Sequence, residues 1–114
     1  MSVLLKVRHA GDVAVVDISG RITLGDGSVA LHEKMRELRA SGDAKILLNL
    51  SGVTFMDSSG LGALVSGYVS VSHNNGQVKL CALTKRVRDL LQVTRLFSVL
   101  DVYEWEEDAL RSFS

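Results

Sequence analysis

The chain has 114 residues, 46% of them hydrophobic, and its 13 basic residues balance 13 acidic ones to a formal net charge of zero. That length and apolar content fit one compact domain over residues 1–114, and the neutral balance provides no field to hold nucleic acid or an anionic membrane. No cationic-then-apolar leader follows Met1 and no apolar stretch approaches the roughly 18 residues of a membrane span, so the expected setting is the cytoplasm and the expected partner another protein.

The runs Val3 to His9 and Val13 to Ile18 are rich in β-branched residues and are split by Ala10-Gly11-Asp12, which predicts an opening antiparallel hairpin. A polar, glycine-containing stretch from Gly20 to Gly27 follows. Leu31, Met35 and Leu38 then fall at helical spacing among charged residues, and this surface helix should stop near Ser41-Gly42, with Gly42 as a left-handed cap. Lys45 to Leu50 is almost continuously apolar, as in a strand buried on both faces. Leu61, Leu64, Val65 and Tyr68 form the apolar stripe of a second helix, while Ala63, Ser66, Gly67 and Ser70 keep its other surface small. Asn74-Asn75-Gly76 ends it.

Gln77 to Leu83 reads as another strand, and its lone Cys81, with no second cysteine to pair with, reads as core. Val87, Leu90 and Leu91 mark a third helix whose Lys85, Arg86 and Arg88 read as a solvated face. A short strand over Val99 to Tyr103 precedes a last helix over Trp105 to Phe113, with Glu106, Glu107 and Asp108 at its positive end. This order predicts an α/β fold: a mostly parallel central sheet with an N-terminal antiparallel hairpin and about four helices. With no proline, the chain has no prolyl isomerisation switch.

Chemistry concentrates in Phe55-Met56-Asp57-Ser58-Ser59-Gly60-Leu61-Gly62, where an apolar strand gives way to an apolar helix. Asp57 or Ser58 can cap that helix, Gly60 and Gly62 let another backbone come close, and the positive helix end favours an anion. Neither serine has a glycine two places before it, so the strained G-x-S-x-G nucleophile is absent. His9, His32 and His73 each have an ordinary surface position. Gly60-Leu61-Gly62 is half a dinucleotide fingerprint with Val65 at the third glycine position and no acidic residue in the following strand. No phosphate-binding lysine loop or metal-ligand spacing occurs, so no cofactor, metal or catalytic residue is expected. What remains is a binding module with a modifiable hydroxyl.

The element order, together with Asn49-Leu50-Ser51-Gly52-Val53-Thr54-Phe55-Met56-Asp57-Ser58-Ser59-Gly60-Leu61-Gly62, closely resembles the STAS domain of bacterial anti-sigma factor antagonists, also called anti-anti-sigma factors. The resemblance implies that Ser58, directly after Asp57, is phosphorylated by a partner that is both anti-sigma factor and serine kinase. Unphosphorylated, Asp57, Ser58, Ser59, Gly60, Leu61 and Gly62, with Arg21 and Thr23 nearby, would bind that kinase and release its sigma factor. A PP2C-type phosphatase would reset the switch. The alternative is a non-switching structural STAS subunit of a larger signalling or transport assembly, with Ser58 only a cap. Two departures stand out. Many relatives carry an acidic pair where this chain has Arg21-Ile22-Thr23, and glycine is frequent where Arg95 stands. A left-handed arginine costs about 1 kcal/mol, which argues for a different turn there.

Overall fold

Gly11, at φ 62°, turns the chain between β1 (Val3–Ala10) and β2 (Val13–Ile22) and sets Ala10 opposite Val13, the antiparallel pairing expected from the sequence. The computed structural model describes residues 3–113, so Met1 and the leader reading made from it lie outside the described residues. The chain continues through α1 (Asp26–Ala40), β3 (Lys45–Met56), α2 (Ser58–His73), β4 (Gln77–Cys81), α3 (Lys85–Val93), a 3₁₀ turn (Leu96–Ser98), β5 (Asp101–Tyr103) and α4 (Glu106–Ser112). The strands lie in the order β1-β2-β3-β4-β5, and every pair after the first is parallel.

Because this order steps in one direction, right-handed crossovers put α1, α2 and α3 on the same face of the sheet. Their Leu31, Met35, Leu38, Leu64, Val87 and Leu91 meet Val16, Ile18, Ile46, Leu48 and Leu80 in the main core. The opposite face presents Val13, Val15, Leu47 and Cys81 to Ala109 of α4, so β3 is buried on both sides as its composition requires.

Several boundaries differ from the sequence reading, among them that of β3, which runs on past Leu50 to Met56. β2 runs four residues beyond Ile18, through Gly20 to Ile22, because register shifts between Asp17 and Ser19 and between Gly20 and Arg21 absorb the irregularity; Ile22 is fully buried. β4 stops at Cys81 rather than Leu83, since Ala82 takes a left-handed conformation at φ 58° and gives its N–H to the Tyr103 carbonyl at 3.1 Å. β5 starts at Asp101, with a 3₁₀ turn occupying Leu96–Ser98. Gly67, read as part of the small outer surface of α2, is buried: a Cβ there would lie 3.0 Å from Met35 Cε. The turn after α3 does not change to spare Arg95, which adopts φ 61° and bears the left-handed strain itself.

Candidate functional site

The ends of β2 and β3 bring the motif together. Ile22 pairs with Met56, and the Ile22 carbonyl accepts the Asp57 N–H at 3.3 Å. Gly60 of α2 packs directly on that strand end, where a Cβ would stand 2.1 Å from the Ile22 oxygen. Gly27 of α1 packs on the same strand end, where a Cβ would stand 2.5 Å from the Arg21 oxygen. Two helix N-termini therefore converge on Arg21-Ile22, and only residues without a side chain permit the approach.

Asp57 is the N-cap of α2. Its Oδ1 accepts the Gly60 N–H at 2.9 Å and its Oδ2 accepts the Leu24 N–H at 3.1 Å, so one carboxylate ties the helix start to the loop after β2. The Gly60 amide, outweighing a small desolvation and joined by that of Leu24, holds the Asp57 carboxyl below the usual carboxylate range and keeps it ionised. Of the two capping candidates the structure selects Asp57. Ser58 becomes the first helical residue, exposed to solvent, with a hydroxyl that makes no hydrogen bond among the described residues. Ser59 is half-buried beside it.

The remaining sequence-derived residues separate by depth. Leu61 is 7% exposed and belongs to the core, and Gly60 is buried, so both support the surface from beneath. Gly62 has open space where a Cβ would project and is exposed, which leaves it available for close approach. Thr23 is half-buried, its carbonyl accepting the N–H of Ser28 at 3.0 Å and its hydroxyl proton at 2.8 Å, and so it anchors the first turn of α1. Arg21 lies opposite Phe55 in the β2–β3 register, with its guanidinium carbon 4.8 Å from the ring centroid.

Three residues join this surface that the sequence did not single out. Leu24 is 80% exposed at the loop tip, its backbone held by Asp57. Arg86 of α3 also lies over Phe55, with its guanidinium carbon 4.8 Å from the same centroid, so it is more than part of a solvated helix face. Phe55 ends the apolar strand in the sequence, and an aromatic at the rim of a buried strand is a signal for such stacking. No histidine serves the serines: His9 Nε2 lies 3.2 Å from Asp43 Oδ1, His32 is exposed on α1, and His73 is at the opposite end of α2.

A family model described as the STAS domain matches residues 5–109. The chain is 26% identical over 110 residues to the anti-sigma F factor antagonist of Paenibacillus polymyxa, covering 96% of this chain and 94% of that one. It is 31% identical over 102 residues to the anti-sigma-B factor antagonist of Bacillus subtilis strain 168, covering 90% and 92% respectively. In fold it is similar to the crystal structure of an anti-sigma factor antagonist from Mycobacterium paratuberculosis, with a TM-score of 0.85, 24% identity and coverage of 97% and 93%.

Proposed function

The chain belongs to the STAS domain family, alongside the anti-sigma factor antagonists it resembles, and from that premise we propose that it is a phosphorylation-controlled anti-sigma factor antagonist. Its unphosphorylated form binds an anti-sigma factor that is also a serine kinase and thereby releases a sigma factor. It acts in the cytoplasm as a non-catalytic module, with Ser58 as phosphate acceptor and a PP2C-type phosphatase as the resetting enzyme. The observation that carries this reading is the division of labour at the helix start: Asp57 caps α2, and the Ser58 hydroxyl is exposed and makes no hydrogen bond among the described residues. The alternative is a non-switching structural subunit of a larger assembly; its premise that Ser58 caps the helix is not met, because the cap is Asp57.

The physics of the switch follows from position. Phosphate on Ser58 adds roughly −1.5 to −2 charges at the positive end of α2, where the helix dipole tolerates them within the fold but a close-packed partner does not. If desolvating that charge at the interface costs about 2–5 kcal/mol, affinity falls roughly 30- to 4,000-fold. Intact mass of the protein from its native cells, followed by phosphopeptide mapping after incubation with ATP and each anti-sigma kinase of the same organism, tests the reading. One phosphate on Ser58 is expected. Phosphate mainly on Ser59, or a mass that never changes, would refute the assignment.

A further inference from the structure

We propose that Arg21 and Arg86, stacked on Phe55, form an acceptor for a carboxylate-bearing segment of the protein partner that docks at the start of α2. The inference rests on the reading of that surface as a docking site. Each guanidinium carbon lies 4.8 Å from the Phe55 centroid, so the two cations can be no further apart than twice that distance. This is within about one Debye length at ordinary salt, and each cation feels the other. Neither has a carboxylate partner among the described residues. Several other cations are closely paired, as in Arg8 with Asp17 at 2.7 Å, Lys45 with Asp12 at 2.6 Å and Lys85 with Asp89 at 2.8 Å, while Lys6, Arg39, Arg88 and Arg95 also have no carboxylate partner among the described residues; what sets Arg21 and Arg86 apart is that they share one ring.

Two exposed arginines held together without an anion repel one another, and the negative face of the ring offsets only part of that repulsion. A carboxylate arriving beside them removes the remainder and meets planar forks already oriented by stacking. Position supports the same occupant. Arg21 and Phe55 are the rungs next to Ile22 and Met56, and exposed Leu24 is tethered to Asp57 at the same strand ends. An acidic segment lying across this edge would place carboxylates on the arginine pair and an apolar side chain on Leu24. Nucleic acid fits poorly, since the whole chain carries no net positive charge.

The test follows the side-chain Nε–H signals of the arginines by NMR in the unphosphorylated full chain, titrated with a peptide of alternating Glu and Ala, a Lys/Ala counterpart, and inorganic phosphate. The signals of Arg21 and Arg86 should move together and saturably with the Glu peptide only, and more than that of the unpaired Arg95. Arg21→Gln should weaken the response of Arg86, and the converse should hold. Equal movement at every exposed arginine, or movement with phosphate alone, would overturn the acceptor. With the kinase that phosphorylates the chain, the double variant Arg21→Glu, Arg86→Glu should slow association roughly tenfold at low salt. A complex indifferent to both reversals while Ser58 is still phosphorylated would sink the acceptor and leave the switch. Paired shifts in a chain that is never phosphorylated would do the reverse.

Discussion

At the scale of single residues, the identical letters of Asp57-Ser58-Ser59-Gly60-Leu61-Gly62 conceal different duties. Asp57 is the structural residue: its depressed pKa means that its contribution to stability is complete above the ordinary carboxylate value of about 3.9 and is lost as pH falls through the folded value. Asp57→Ala should therefore lower the urea midpoint at pH 7, and the gap to wild type should narrow as pH falls below about 3.9; a gap independent of pH would show that the charge is not what matters. The two glycines provide an opposed pair. Gly60→Ala drives a Cβ to 2.1 Å from the Ile22 carbonyl and should destabilise by about 1–3 kcal/mol or more. Gly62→Ala meets open space inside a helix and should stabilise by up to about 1 kcal/mol while weakening the kinase complex. Equal melting temperatures for the two variants would contradict the assignment of Gly60 to the fold and Gly62 to the surface. Sequence alone could not separate them, because which glycine faces Ile22 depends on how β2 ends.

At the scale of elements, the order of strands and helices was legible because alternation, helical spacing and right-handed crossovers all point to one sheet. The misread edges are places where tertiary contacts override local signals: bulges carry β2 through Gly20, and left-handed Ala82 breaks β4 although alanine announces no turn. The contiguous part of the site could be read from the motif. The Arg86 contribution could not, since it comes from another element that only the fold brings to Phe55. The short α4 was legible from its acidic first turn, but its attachment was not. With seven residues it cannot stand alone, and it is held by Lys79 of β4, whose Nζ donates to the Ser112 carbonyl at 3.2 Å and lies 5.1 Å from the Phe113 ring centroid and 5.5 Å from that of Tyr103. At its other end Glu106 accepts from Arg8 and from Asn49. Lys79→Met keeps the buried stem and removes the charge, so it should cost about 1–3 kcal/mol and accelerate amide exchange in α4 ahead of the remaining helices. Unchanged exchange in α4 would show that Ala109 and Phe113 hold it unaided.

At the scale of the molecule, the carboxyl ends of β2 and β3 and the starts of α1, α2 and α3 lie at one end of the sheet, the end at which open α/β sheets present binding surfaces. The proposed docking surface is built on strand and helix ends, which bears on how phosphate would work. A charge at the exposed start of α2 can weaken a complex by local repulsion, or it can loosen the whole domain. Cys81 distinguishes the two. It is fully buried beneath α4, and burial, followed by the charges of Glu106 and Asp17, pushes its thiol up to about 11. A neutral, covered thiol reacts only when the fold opens, so its labelling rate by iodoacetamide at pH 8 reports opening far from Ser58. Ser58→Asp places a negative charge where the helix dipole favours it, and Ser58→Ala removes a hydroxyl that makes no hydrogen bond among the described residues, so both should label within about twofold of wild type. Kinase affinity should meanwhile fall roughly 30- to 4,000-fold for Asp and remain near wild type for Ala. Labelling accelerated more than about tenfold in Ser58→Asp would mean that the phosphate acts by loosening the fold, and the local repulsion argued for this surface would be wrong.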